Sequence, residues 1–276
     1  MAAIRLSLLA VAFLCLASLS AQPANPDASK PQFEVATVRP NKSGDTGAAL
    51  DLRPGGRLVA TNQMVRNLIR IAFNVQAHQI VGGPAWLDSE RFDISAKSSD
   101  ADLDAKGMMP PEQFMLRLQA LLEERFAMKT HWETRQVPAF ALIVAADGRL
   151  GPALKAHTGN CDPESNGIVP PPGSPTSHCV TSAHRTSASA TVIGTGIRMD
   201  TLARNLSSAV GRTVTDRTGL SGIYDVHLTF IPEPSPEMPG PSLFTAVQEK
   251  LGLRLEPERA PIRVLVIDGL DRPTSN

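Results

Sequence analysis

The sequence predicts an α+β fold made of two tandem repeats, each a mostly antiparallel sheet with two helices on one face. Three observations support this class: short stretches carry apolar residues at helical spacing, strand-like segments outnumber them, and the order of elements is the same in both halves of the chain. Helices that are outnumbered by hairpins favour an antiparallel sheet with its helices on one side.

The first half supplies one copy of the predicted unit. Its elements, in chain order, are strands at 33–38 and 56–59, a helix over 64–72, strands at 79–81 and 92–94, a helix from 111 to 122, and closing strands at 128–132 and 137–144. The last of these strands begins beside Pro138, and the first residue of a strand can spare its N–H.

The second half repeats that order. Its elements are a strand at 189–193, a helix over 199–206, strands at 212–215 and 224–226, a helix from 241 to 251, and closing strands at 253–255 and 260–267. If the halves are one unit used twice, three pairs of positions should superpose and be buried in both copies. These pairs are Phe92 with Tyr224, Phe114 with Phe244, and Leu142 with Leu265.

The amino terminus has the pattern of a secretory signal. Residues 1–21 combine an early charge at Arg5, an apolar run of suitable length, and small residues at Ser20 and Ala21. A membrane anchor, the alternative, needs about 20 apolar residues. We therefore expect a signal peptide at 1–21, a flexible linker at 22–31, and a secreted or periplasmic mature chain without a membrane span.

Cleavage would leave two cysteines in an oxidising compartment, Cys161 and Cys179, which most simply form one disulfide. The bridge would close a Pro-, Gly- and Ser-rich loop at 151–187, between repeats expected at 32–150 and 188–276. A zinc site that adds His178 and His184 is the alternative, but the adjacent His-Cys pair fits no usual tetrahedral spacing. We predict no metal and no cofactor.

Composition and motifs exclude several classes of function. The chain has 27 Lys and Arg against 27 Asp and Glu, and aromatic residues make up 4%, so it lacks the charge and the stacking surfaces that nucleic acid requires. The sequence also lacks metallopeptidase, nucleophile-elbow, phosphate-loop and dinucleotide motifs. It therefore predicts no catalytic residue.

Four residues are candidates for binding. Asp93 and Asp225 occupy equivalent places on strands, where aspartate is unusual, and they either bind a ligand or serve the scaffold. Trp86 either anchors a partner or fills the groove between helix and sheet. Leu220 would stand with Trp86 on the walls of a groove between the two copies.

Five segments of the chain carry a family resemblance: 33–40, 82–94, 121–126, 216–225 and 264–268. Together they resemble a soil-associated family of secreted proteins that is abundant in acidobacteria. The resemblance implies export, a stand-alone domain and, in some relatives, fusion to membrane metallopeptidases of the penicillin-sensor type, but no catalytic residue. The second half is also similar in pattern to the short amino-terminal domains of secretins and TonB-dependent receptors, which bind proteins or peptides.

These observations favour an exported, non-enzymatic binding or sensory module with an unknown ligand. Its partner would be a protein or peptide of the cell envelope, taken in the cleft between the repeats or at a sheet edge. Two alternatives stay open. One is a secreted hydrolase with an unfamiliar site drawn from residues 157–184, Asp93 and Asp225, and the other is a structural component of the envelope.

Overall fold

The computed structural model describes residues 31–99, 101, 103–104, 107–159, 179–186, 188–235 and 237–273. The strands are β1 (Val35–Pro40), β2 (Ala49–Arg53), β3 (Arg57–Met64), β4 (Ile80–Gly82), β5 (Arg91–Lys97), β6 (Lys129–Val144), β7 (Leu154–Ala156), β8 (Val180–Arg185), β9 (Ala190–Ile197), β10 (Val214–Asp216), β11 (Tyr224–Phe230) and β12 (Leu253–Gly269). The helices are α1 (Val65–Ala72), α2 (Pro111–Arg125), α3 (Met199–Val210) and α4 (Leu243–Ala246), and α4 continues as a π-helical turn, Val247–Leu251. No helix in these ranges is long and apolar enough to cross a membrane. The predicted signal peptide lies outside the described residues.

The strands form three four-stranded sheets. The amino-terminal sheet has the order β1-β5-β3-β2 and the carboxy-terminal sheet has the order β7-β11-β9-β8, and all neighbours in both are antiparallel. The central sheet, β10-β6-β12-β4, has an antiparallel middle pair with a parallel strand on each side. The predicted α+β class with mostly antiparallel sheets is confirmed.

The middle pair of the central sheet is a long ribbon of β6 and β12. Leu253 lies opposite Val144 at one end of the ribbon, and Gly269 lies opposite Lys129 at the other. The sequence predicts two short strands in each half at this place, whereas each half has one continuous strand. Polar residues in the middle of both strands interrupt the apolar alternation, which is why each strand reads as two.

Pro138 lies inside β6 rather than at the start of a strand. Phe140 donates its N–H to the carbonyl of Thr213 on the outer side of the ribbon, and residues two apart on a strand direct their backbone groups to the same side. Pro138 therefore turns its nitrogen to that outer side, where β10 pairs with Phe140 to Leu142 but does not reach it. A sheet tolerates proline at such an edge position.

Two hydrophobic cores share the ribbon. The first core joins the amino-terminal sheet, α1 and α2 with Leu265 and Ile267 from the far end of β12. The second core joins the carboxy-terminal sheet, α3 and α4 with Leu142 of β6 and Leu253 of β12. The last strand of the chain therefore completes the first core, although most of that core comes from the first half.

The connection at 151–187, predicted as a loop, contains two strands, so that prediction needs correction. The strand β7 pairs with β11, and β8 pairs with β9. A three-residue strand is too short to show alternation, and β8 is mostly polar, so neither gives a periodic signal. Cys161 lies outside the described residues, and the disulfide between Cys161 and Cys179 stays a prediction.

Five of the six predicted core positions are buried, and these are Phe92, Phe114, Leu142, Tyr224 and Leu265. The prediction for Phe244 is wrong, because 47% of this residue is exposed.

The error at Phe244 is one of helix register. A residue with left-handed backbone follows each helix: Ala127 follows α2 with φ 46°, and Gly252 follows the π-helical turn with φ 67°. Phe244 stands as far before Gly252 as Gln119 stands before Ala127. It therefore matches a half-buried polar position and not the buried Phe114.

Candidate functional site

Each outer sheet contains a bulge just before a helix. In β3 the bulge includes Asn62 with φ 56°, and in β9 it includes Gly196 with φ 62°. A bulge removes the N–H of such a residue from the strand ladder, so that this group needs another acceptor. Oδ1 of Asp93 accepts the hydrogen bond from the N–H of Asn62 at 2.8 Å, and Oδ1 of Asp225 accepts that from the N–H of Gly196 at 2.9 Å.

The same two carboxylate oxygens also bind the residue that follows the edge strand of each sheet. Nδ2 of Asn41, after β1, donates to Asp93 at 2.8 Å, and Nδ1 of His157, after β7, donates to Asp225 at 2.8 Å. Each aspartate thus ties a bulge to a neighbouring chain segment, which is the scaffold alternative that the sequence left open. A role for either aspartate in binding stays a prediction.

Trp86 lies in the first core rather than in an open groove. Its ring contacts Phe92 edge-on with 6.2 Å between centroids and stacks on Phe126 at 6.5 Å. The guanidinium of Arg272 covers it at 5.3 Å from the ring centroid. Only 9% of Trp86 is exposed, so its side chain fills space between helix and sheet.

Leu220 is half-buried against the second core. The four candidate residues are therefore not gathered in one place: Trp86 and Leu220 belong to different cores, and Asp93 and Asp225 belong to different sheets. Among the described residues, none of the four lines the cleft between the two halves.

A cleft of about 510 Å³ opens between the two halves of the chain, and we call it the junction cleft. One side comes from the first half, after α1 and at the start of α2, and the other comes from the second half, along β8, the end of β9 and the first two turns of α3. The lining residues are Asn74, Pro111, Met115, Cys179, Thr181, Gly196, Ile197, Arg198, Thr201, Arg204 and Asn205.

Polar groups of the second half shape the junction cleft. Nδ2 of Asn205 donates to Oγ1 of Thr181 at 2.7 Å, which links α3 to β8. Nε of Arg198 lies 3.3 Å from Oδ1 of Asp200. Burial acts to raise the pKa of Asp200, but the hydrogen bond and positive charge of Arg198, together with hydrogen bonds from Thr201, outweigh it and lower this pKa.

Sequence patterns alone do not single out the lining residues of the junction cleft. Arginine, threonine and asparagine on an exposed helix face are ordinary surface composition. Nor does the sequence mark Arg204, because Asp200 lies four residues before it on α3, where an ion pair would be expected.

A second cleft of about 680 Å³ lies beside the bulge of the amino-terminal sheet. Its lining combines the cations Lys42 and Arg91 with the carboxylates Asp45 and Glu90. This mixture of signs gives no preference for a ligand charge. The junction cleft is the better candidate, because both halves line it and its charge has one sign.

A chain of charged groups crosses one end of the ribbon. Nδ1 of His131 lies 2.8 Å from Oδ2 of Asp268, Nε2 of His131 lies 2.9 Å from Oε1 of Glu133, and Nε of Arg135 lies 2.6 Å from Oε2 of Glu133. The bond to Asp268, with that to Glu133, raises the pKa of His131. The bond from Arg135, with that from His131, lowers the pKa of Glu133 to about 2.

We expect the substitution Asp268→Asn to lower the pKa of His131, measured by NMR titration of the histidine ring protons. The raised pKa means that His131 contributes stability fully below its ordinary pKa of 6.5, and that this contribution is lost as pH rises through the folded-state value. Asp51→Asn, which alters an exposed carboxylate elsewhere, is the control. Equal midpoints in the wild type and Asp268→Asn would contradict the assignment.

The described residues contain no group of three or more His, Cys, Asp or Glu side chains that could hold a metal ion. Cys161 and His178 of the alternative zinc site lie outside those residues, so the structure leaves that alternative untested.

Fold and cleft together define an α+β protein with two connected halves and a cationic cleft between them. The chain belongs to the DUF3738 family, which is described as a protein of unknown function, and the match spans residues 66–270. All residues that line the junction cleft fall within that match. No curated protein and no solved structure matches the chain.

Proposed function

We propose that this protein is an exported, non-enzymatic binding module that holds its ligand in the junction cleft. The main support for the proposal is that residues from both halves of the chain line this cleft. Pro111 and Met115 come from the first half, whereas Thr201 and Asn205 come from the second. Concave sites between structural units are favoured places for ligands, and a ligand here would touch both halves.

Binding is favoured over catalysis by the kind of groups that line the junction cleft. Arginine guanidinium, amide and hydroxyl groups suit recognition, whereas general acid and base work needs a group that titrates near neutral pH. Histidine and carboxylate side chains are missing from the described lining.

The alternative of a secreted hydrolase draws on one observation, the pair of His157 and Asp225. A carboxylate on Nδ1 of a histidine is the arrangement that prepares Nε2 to act as a base. Nε2 of His157 is buried, however, and has no hydrogen-bond partner among the described residues. A hydrolase that used His157 as its base would need a hydroxyl or thiol nucleophile, or an attacking water, at that atom.

We also propose that the two halves are one unit used twice. The identical order of the outer sheets supports this, since β1-β5-β3-β2 corresponds strand by strand to β7-β11-β9-β8. The bulges support it as well, because Asp93 with Asn62 and Asp225 with Gly196 make the same bond in the two sheets. The central sheet keeps its order when β4 is exchanged with β10 and β6 with β12.

Export is supported by the sequence of residues 1–21, which has the layout of a signal peptide. The two cysteines that would remain after cleavage fit an oxidising compartment.

The test is ligand retention by the purified protein. The protein is incubated with a small-molecule extract of the extracytoplasmic fraction, washed and denatured, and the released molecules are identified by mass spectrometry. Thr201→Trp should fill the junction cleft and abolish retention. Thr134→Trp, at an exposed position of β6 outside the cleft, should retain the same molecules as the wild type.

Equal retention by Thr201→Trp and the wild type would refute the proposal, as would no retention by the wild type. Thermal melting shows whether each variant folds. Should Thr201→Trp not fold, Met115→Trp blocks the cleft from the opposite wall and is read in the same way.

A further inference from the structure

We infer that the junction cleft binds an organic acid, with Arg204 on the carboxylate and the apolar part of the ligand against the first half. This inference rests on the proposed function, because it names the ligand class of the same cleft.

Arg204 has a counterpart in the first half that is held by a neighbour. Arg70 and Arg204 are each the sixth residue of a helix that follows a bulged strand. Nε and Nη2 of Arg70 donate to Oδ1 of Asn67 at 3.2 and 3.0 Å. The residue at the place of Asn67 in α3 is Thr201, whose hydroxyl donates to Asp200.

Arg204 therefore presents an unpaired guanidinium. Within the described part of the chain, it makes no hydrogen bond or ion pair. A guanidinium has five N–H donors in a rigid plane and no acceptor. Arg204 is exposed, so water can hydrate these donors and a ligand anion can replace that water.

Side chains link the helix to the edge strand at the corresponding place in the first half. Nε2 of Gln63 donates to the carbonyl of Ala49 at 2.9 Å, and Asn67 donates to Gln63 at 2.6 Å, which joins α1 to β2. Ile197 and Thr201 stand at the places of Gln63 and Asn67 in the second half. An apolar and a shorter side chain take those two places, and both line the junction cleft. The link from α3 to β8 comes instead from Asn205, one turn later.

The charge of the cleft favours an anion. None of the described lining residues carries a carboxylate, whereas Arg198 and Arg204 carry guanidinium groups. Asp200 offsets the charge of Arg198, with 3.3 Å between Nε and Oδ1. Asp200 also lies four residues before Arg204 on α3, but Arg204 makes no ion pair among the described residues. A carboxylate fits its guanidinium fork through two parallel hydrogen bonds.

A further donor lies on the same side of the cleft. Oγ1 of Thr181 accepts a hydrogen bond from Asn205, so its own hydroxyl proton is left to donate. Carboxylate oxygens accept more than one hydrogen bond each, so they can use this proton in addition to Arg204.

The apolar residues that line the junction cleft favour a ligand with an apolar part. Pro111 and Met115 line the first-half side, and Ile197 lies at the end of β9. The cleft volume of about 510 Å³ is typical of small-molecule sites and far exceeds that of a lone carboxylate. An organic acid with an apolar part uses both the cation and these walls.

The experiment is an NMR titration of the purified protein with acetate, benzoate and citrate, and with benzamide as the neutral analogue of benzoate. We expect at least one acid to shift the amide signals of Thr181, Arg204 and Asn205, and benzamide to leave them unchanged. Arg204→Gln should weaken binding of that acid at least about tenfold, and Arg204→Lys should weaken it less because the charge remains. Arg57→Gln, which removes an exposed arginine outside the cleft, should not change it.

Three outcomes would overturn the inference: equal binding of benzoate and benzamide, undiminished binding by Arg204→Gln, or no shift with any acid at about 50 mM, where a millimolar complex is nearly saturated. The retention experiment separates this inference from the proposed function. If the wild type retains a neutral molecule and Thr201→Trp does not, the proposed binding function is supported. Only the inference that the ligand is an organic acid is then refuted.

Discussion

Leu265→Ala is expected to lower the free energy of unfolding by about 2–5 kcal/mol, the range for a buried leucine cut back to alanine. Leu265 is fully buried in the first core although it lies near the end of the chain, opposite Trp132 of β6 and beside Ile80 of β4. Urea denaturation measures the loss. Leu150→Ala, at a position that is 38% exposed, is the control and should change stability by about 0.5 kcal/mol or less.

A second variant on the same strand shows which core each residue serves. Leu255 also lies in β12 but belongs to the second core. By hydrogen exchange, Leu265→Ala should expose the amides of the amino-terminal sheet first, whereas Leu255→Ala should expose those of the carboxy-terminal sheet. The same exchange pattern from both variants would contradict the division of β12 between two cores.

Phe114→Ala and Phe244→Ala should differ strongly, although the sequence predicts the same cost for both. Phe114 is 5% exposed in the first core, and its truncation should cost about 3–5 kcal/mol. Phe244 is 47% exposed and contacts Phe140 edge-on at 5.4 Å between centroids, a contact worth about 1 kcal/mol.

Urea denaturation of both variants measures this difference, with unchanged slopes as the sign that the folded and unfolded states are comparable. A loss above about 3 kcal/mol for Phe244→Ala would mean that the residue is buried in solution and that the helix register is wrong.

Local sequence patterns predicted the class of fold and most of its elements. Helical spacing around Leu68 and Leu202 and alternation around Phe92 and Tyr224 are properties of short segments, so they can be recognised without knowing the partners. These local patterns could not predict that the two cores share the ribbon of β6 and β12. Nothing local to Leu265 says that it belongs to the first core rather than to the second.

The candidate site was less accessible to sequence reasoning than the fold. Asp93 and Asp225 were recognised as unusual on strands, but their bonds to Asn62 and Gly196 depend on a bulge that only the pairing of strands reveals. Arg204 became a candidate because it has no hydrogen-bond partner among the described residues, whereas Arg70 at the same place in α1 has one. This difference is visible only when α3 is compared with α1 in three dimensions.

The shared ribbon also determines when this chain can fold. Val144 ends β6 and Leu253 begins its partner strand, about a hundred positions later. At about 5–20 residues per second, synthesis needs on the order of 10 s to cover that interval, and pairing so distant in sequence is itself slow. During this time the amino-terminal half lacks Leu265 and Ile267, which belong to its core. Such a delay is compatible with export, which we propose for this chain.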